Sequence, residues 1–165
     1  MRKNLGWLIG AVVLAGCVYA GTVQATPASQ FVGTTVALGR FSEIDVNLHT
    51  IPANIWQSRQ KTKGDSDVYV QSNVWQPGGT TGWHSHPGHS LIIVTAGTVT
   101  DYEGSDANCT PHVYTVGQGF VDEGGDHVHM IRNEGAVEAR TYAVQLVPAG
   151  ATRRIDAPAA VNCSF

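Results

Sequence analysis

Basic residues are scarce in this chain and scattered along it. No basic run exceeds two residues, and 10 Lys and Arg stand against 13 Asp and Glu in 165 residues. That excludes nucleic acid as an expected partner, because phosphate binding needs a concentrated basic surface. Charged residues of both signs reach only 14%, against 42% hydrophobic, which is a globular balance rather than a disordered one. There is no Gly-x-Ser-x-Gly elbow, no phosphate loop and no Cys-x-x-Cys pair. Serine hydrolase, nucleotide-binding and thiol-redox chemistries therefore have no support. Sustained helical periodicity and internal repeats are also missing.

Glycine, by contrast, is abundant: 19 residues, which implies many tight turns between short apolar runs and so an all-β architecture. Strands are expected over 31–38 and 41–48, with Gly39 turning between them. Residues 51–65 read as polar loop, with one strand or a short helical turn inside it as the open alternative. Over 68–75 the chain alternates, Val68, Val70, Ser72 and Val74 facing one way and Tyr69, Gln71, Asn73 and Trp75 the other. Further strands are expected over 83–86, 90–96, 98–102, 112–116, 119–121, 127–132 and 137–147, separated by turn residues such as Gly97 and Asn133-Glu134-Gly135. Many short strands at even spacing suggest a sandwich or barrel. The Ala/Pro-rich tail is expected to wrap around it.

The first 25 residues read as a targeting segment, with residues 26–165 as a single domain. Arg2 and Lys3 precede an apolar stretch from Leu5 to Ala20, and Val23-Gln24-Ala25 places small residues where a signal peptidase inspects. The expectation is a periplasmic or secreted protein beginning at Thr26. Leu14-Ala15-Gly16-Cys17 also resembles a bacterial lipobox, so a membrane anchor through a lipidated Cys17 is the alternative. Cleavage at Ala25 leaves 8 Lys and Arg against 13 Asp and Glu, a net charge of −5. It also leaves two cysteines, Cys109 and Cys163. An even pair in an oxidising compartment suggests a disulfide pinning the tail to a loop; the alternative is two free buried thiols.

The chemistry lies in the histidines. Five of the seven fall in His84-Ser85-His86-Pro87-Gly88-His89 and His127-Val128-His129. On a strand, positions i and i+2 share a face, so His84 and His86 project together, as do His127 and His129. If the two segments are neighbours, three or four imidazoles meet at one point. Imidazole suits Zn, Cu, Fe and Ni, and with carboxylates also Mn. His49 and His112 stand alone and read as structural or surface residues.

The stretches Gly82 to Gly97 (GWHSHPGHSLIIVTAG) and Gly119 to Asn133 (GFVDEGGDHVHMIRN) resemble the two motifs of the cupin superfamily. The resemblance covers about residues 68–150, roughly half the chain. It implies a jelly-roll β-barrel with one divalent transition metal (Fe, Mn, Cu or Zn) near its centre, and it allows a homodimer. His84 and His86 match the first two ligands, and His129, followed four residues later by Asn133, matches the last. The family's glutamate position is Ser90, a poor ligand. The site is then three-histidine, as in some thiol dioxygenases, or filled in by His89. The second turn is enlarged, with Gly124 at the proline position and Asp126 at the glycine position. His127 keeps Gly124 three residues before it but has Ile131 where Asn is expected, so it is held as reserve ligand or supporting residue.

Asp122, Glu123 and Asp126 read as solvated turn residues, one of which could serve as fourth ligand or general base. Trp83, Tyr102 and Phe120 read as barrel core, with a pocket lining as the alternative. The functional expectation is a metal-dependent dioxygenase acting on a small organic molecule. The alternative is a module that holds a metal or small ligand without turnover.

Overall fold

A computed structural model describes residues 25–51 and 55–165. The expected signal segment, with Cys17, lies outside the described residues except for Ala25. Every regular element described is a β-strand: β1 (Ser29–Phe41), β2 (Asp45–His49), β3 (Gln57–Lys61), β4 (Ser66–Thr80), β5 (His84–Ser85), β6 (Ser90–Ala96), β7 (Thr98–Glu103), β8 (His112–Thr115), β9 (Gly119–Asp122), β10 (His129–Arg132), β11 (Ala139–Pro148) and β12 (Ile155–Asp156). Ten of these form one antiparallel sheet that curls into a nearly closed barrel, with the path β12-β5-β10-β4-β11-β6-β9. β1 lies along β4, and β7 bridges β10 and β8. β2 and β3 make a separate two-stranded hairpin.

One expectation fails in the N-terminal third, and one open alternative resolves to a strand. Gly39 does not turn the chain. It pairs with Val68 inside the β1–β4 ladder, and the break comes after Phe41. The stretch read as loop contains β3, whose sequence QSRQK has no apolar alternation and is a strand through its pairing with β2.

Period-2 alternation fills the barrel. Along β6 the pattern is buried–exposed throughout, so Ile92 and Val94 point inward while Leu91 and Ile93 point out. With Trp75, Val99, Phe120, Ile131, Ala139 and Ala143 they form the inner core. A second cluster of Trp83, Tyr102, Met130 and Ala157 packs with Cys109, Val128, Ala160 and Cys163. Met130 follows His129 on β10 and so faces the opposite side, where the C-terminal tail covers it. The tail is joined to the β7–β8 loop by the Cys109–Cys163 disulfide, with Cα atoms 5.3 Å apart. Trp83, Tyr102 and Phe120 belong to these two cores as expected, and none lines the histidine cavity.

Candidate metal centre

β5 and β10 pair so that His84 and His129 lie directly opposite each other. Opposed residues in an antiparallel pair share a face, and both rings point into the barrel, with centroids 4.6 Å apart. His86 lies just past β5 and adds a third ring, 4.7 Å from His84 and 5.9 Å from His129. One nitrogen of each imidazole lies within 4.8 Å of the other two.

The loop carrying His86 is held by close backbone packing. A Cβ at Gly88 would lie 2.1 Å from the Leu146 carbonyl oxygen, and one at Gly124, whose φ is +70°, would lie 2.2 Å from that of Gly88. Only glycine fits either place. Between the two loops the Gly125 N–H donates to the His86 carbonyl at 2.6 Å.

Each ring is oriented through its Nδ1. His84 Nδ1 lies 2.9 Å from the Gly82 carbonyl and His86 Nδ1 2.6 Å from the Arg153 carbonyl. A carbonyl only accepts, so in both rings Nδ1 carries the proton and Nε2 presents its lone pair. His129 Nδ1 meets the Asp101 carboxylate at 3.1 Å. Its Nε2 is buried with no hydrogen-bond partner. Three imidazoles tethered at Nδ1 by carbonyl or carboxylate, with Nε2 converging, is the arrangement that fixes tautomer and orientation around a metal. Four-coordinate and open three-protein-ligand sites both use such a set, so the donor chemistry fits a divalent transition ion.

Burial, reinforced by the neighbouring His129, drives the His84 pKa down to about 2. Burial also lowers the pKa of His86, against the pull of Asp122. For His129 burial opposes the charged form, yet the hydrogen bond and charge of Asp101, with Asp122 and Glu103, raise its pKa. The carboxylates thus act on His129 and His86, whereas the charges acting on His84 are Arg154 and the neighbouring imidazoles.

Of the remaining expected residues, His127 does not join the site. β10 begins at His129, so the i, i+2 rule does not carry back to His127, whose Nε2 instead lies 3.1 Å from Glu103. His89 also turns away, lining a separate groove with Arg59 and Lys61. Ser90 does face the cavity. Its hydroxyl donates to Asp122 at 3.1 Å. His49 and His112 are exposed. Glu123 and Asp126 are solvated as expected, but Asp122 is buried and lines the cavity. Sequence reasoning missed Asp101, Gln145, Arg153 and Arg154. Asp101 reaches His129 only through the β7–β10 ladder, and the other three come from β11 and the tail; no local pattern marks any of them.

The cavity at the histidines has a volume of about 70 Å³, with Trp75, Phe31 and Ile92 on its apolar side. Arg154 is engaged by Asp156 and the Thr81 carbonyl. Arg153 lies 5.0 Å over the Tyr69 ring, and its Nη1 is buried without a hydrogen-bond partner.

No family model and no curated protein matches this chain. Solved structures do. An oxalate oxidase is similar at 22% identity and a TM-score of 0.42, over 50% of this chain and 46% of that one. A predicted oxalate decarboxylase from Thermotoga maritima is similar at 18% identity and a TM-score of 0.41, over 52% of this chain and 83% of that one. A cupin superfamily protein from Desulfitobacterium hafniense is similar at 9% identity and a TM-score of 0.43, over 69% of this chain and 81% of that one. This chain therefore spans less than half the length of the oxalate oxidase it matches. The described chain is a nearly closed antiparallel β-barrel, and the solved structures it is similar to include cupin-superfamily proteins.

Proposed function

We propose that this chain is an exported metalloprotein in which His84, His86 and His129 hold one divalent transition metal, and that it is a dioxygenase for a small organic anion. The observation that carries the reading is the tethering of all three rings at Nδ1, which leaves three Nε2 atoms converging. A bound ion of this kind supplies Lewis acidity and a contact for O2. In a dioxygenase both atoms of O2 enter the product, so no separate reductant is required. The protein's share is to exclude bulk water with the apolar wall and to position the substrate. Arg153 supports an anionic substrate, because its unpartnered Nη1 is a ready donor for a carboxylate or enediolate.

The test is oxygen uptake by metal-loaded protein offered small carboxylate, thiol, enediol and catechol compounds. Uptake that depends on added metal and disappears in His86→Ala is expected; no uptake with any of the four classes overturns the enzymatic reading. A second reading, retention of a metal or small ligand without turnover, is favoured by cavity size. At about 70 Å³ the space holds roughly two waters. Retained metal without oxygen uptake is its signature.

Export is supported by the composition of residues 1–25 and by the disulfide, which is compatible with an oxidising compartment. Mass spectrometry of the mature N-terminus tests it. A chain beginning at Thr26 is expected, and one beginning at a lipidated Cys17 would replace that reading with membrane anchoring.

A further inference from the structure

The position where the cupin resemblance places an acidic ligand holds Ser90, and a carboxylate stands directly across from it. Ser90 and Asp122 are opposed residues in the β6–β9 ladder, so their side chains share the inner face. Moving an acid from position 90 to position 122 shifts it one strand sideways, about 4.8 Å, without changing the direction in which it points.

Asp122 is built into the wall of the cavity. Its side chain is 1% exposed. Oδ2 lies 3.5 Å from His86 Nε2, and Oδ1 lies 3.8 Å from His129 Nε2. Donors bound at about 2.1 Å to one ion stand roughly 3.0–3.4 Å apart, so each Asp122–imidazole distance is within a few tenths of an ångström of the spacing of two donors on one ion. The carboxylate is aimed by three groups. Ser90 Oγ donates to Oδ2 at 3.1 Å, Gln145 Nε2 donates to that hydroxyl at 3.2 Å, and the Gly124 N–H donates to Oδ1 at 3.1 Å. Among the described residues no Lys or Arg forms an ion pair with it; its only such contacts are the two imidazoles. A buried carboxylate without a cation is costly, and a metal ion is one way to neutralise it.

We propose that Asp122 is the fourth protein ligand, so that the centre is three imidazoles and one carboxylate, with the acid supplied by β9 and Ser90 retained as the hydroxyl that holds it. The inference rests on the three-histidine reading given above. It lowers the net charge of the bound centre by one relative to three neutral rings. It also shifts preference toward ions that accept mixed nitrogen and oxygen donors, such as Mn and Fe.

The test compares the full mature chain with Asp122→Asn, Ser90→Ala and the double variant Ser90→Glu/Asp122→Asn. Mn(II) affinity is measured by chelator competition, and the ligand field is read from the visible absorption of the Co(II) form. Asp122→Asn is expected to weaken Mn(II) binding by about 100-fold or more and to change the Co(II) spectrum. Ser90→Ala, which loosens the carboxylate without removing it, is expected to cost about 10-fold. The double variant returns an acid to β6 and should recover most of the lost affinity, which also guards against a single variant that fails to fold.

Wild-type affinity in Asp122→Asn overturns the proposal and leaves the three-histidine reading standing. Weakened binding with an unchanged Co(II) spectrum also overturns it, because the carboxylate then acts through a bound water. A wild-type chain that takes up neither ion overturns both readings together.

Discussion

The two His-x-His pairs look alike in the sequence and behave differently in the fold. His84 and His86 both reach the cavity, but of His127 and His129 only the second does. Spacing alone does not separate them, since what counts is where the extended backbone starts. β10 begins at His129, so His127 is still in the turn and swings outward to Glu103. His86 also lies just outside its strand, yet the Arg153 carbonyl captures its ring. A histidine therefore joins this centre when a second group holds its Nδ1, and the i, i+2 rule is only a first filter.

Metal affinity separates the two pairs most strongly. His129→Ala is expected to reduce binding by well over 100-fold, and His127→Ala to leave it within about two-fold, because a lost ligand costs more than the 10–100-fold typical of a supporting residue. Equal losses on titrating both variants would mean that the second pair works as a pair after all. Next in size is Asp101→Asn, which weakens the hold on His129 Nδ1. It should lower affinity about 10–100-fold with unchanged stoichiometry by elemental analysis.

Away from the rings, Cys163→Ser removes a link closing a separation of 54 residues and should cost about 2–4 kcal/mol in denaturant unfolding. The smallest effect concerns acid. The Arg40 guanidinium, with the Gly150 N–H, lowers the Asp67 pKa from 3.8 to about 2. A depressed carboxylate stabilises the fold above its unfolded pKa, and that contribution fades as pH falls from about 4 toward 2. Asp67→Asn should therefore flatten the urea midpoint over that window, and an unchanged slope would show that the ion pair carries no linkage.

Much of the barrel was legible because its inner strands bury one face. The alternation over Val68 to Trp75 and the turns at Gly97 and Asn133 follow from local chemistry, and the structure follows them. β3 was not legible. Its polar residues are mostly exposed, so nothing but its partner strand marks it as extended. Gly39 misled for the opposite reason, since a glycine in a long ladder needs no turn. At the site, the three histidines could be named from spacing and motif, and the disulfide from the even cysteine pair left by the expected cleavage. Asp122 could be noticed but not placed, because whether a residue after Val121 is solvated or interior depends on Ser90 lying across the ladder. The carbonyls of Gly82 and Arg153 are backbone groups, and no side-chain pattern announces which of them will receive an imidazole.

His86 takes its orientation from residue 153, twelve positions from the end of the chain. The C-terminal segment is thus scaffolding for the centre rather than a dispensable appendage. A chain cut short before that residue would retain every histidine and most of the strands, yet the His86 imidazole would lose the acceptor that holds its Nδ1. Any change at this terminus that displaces residue 153 reaches the histidine cavity from a distance, through one peptide oxygen.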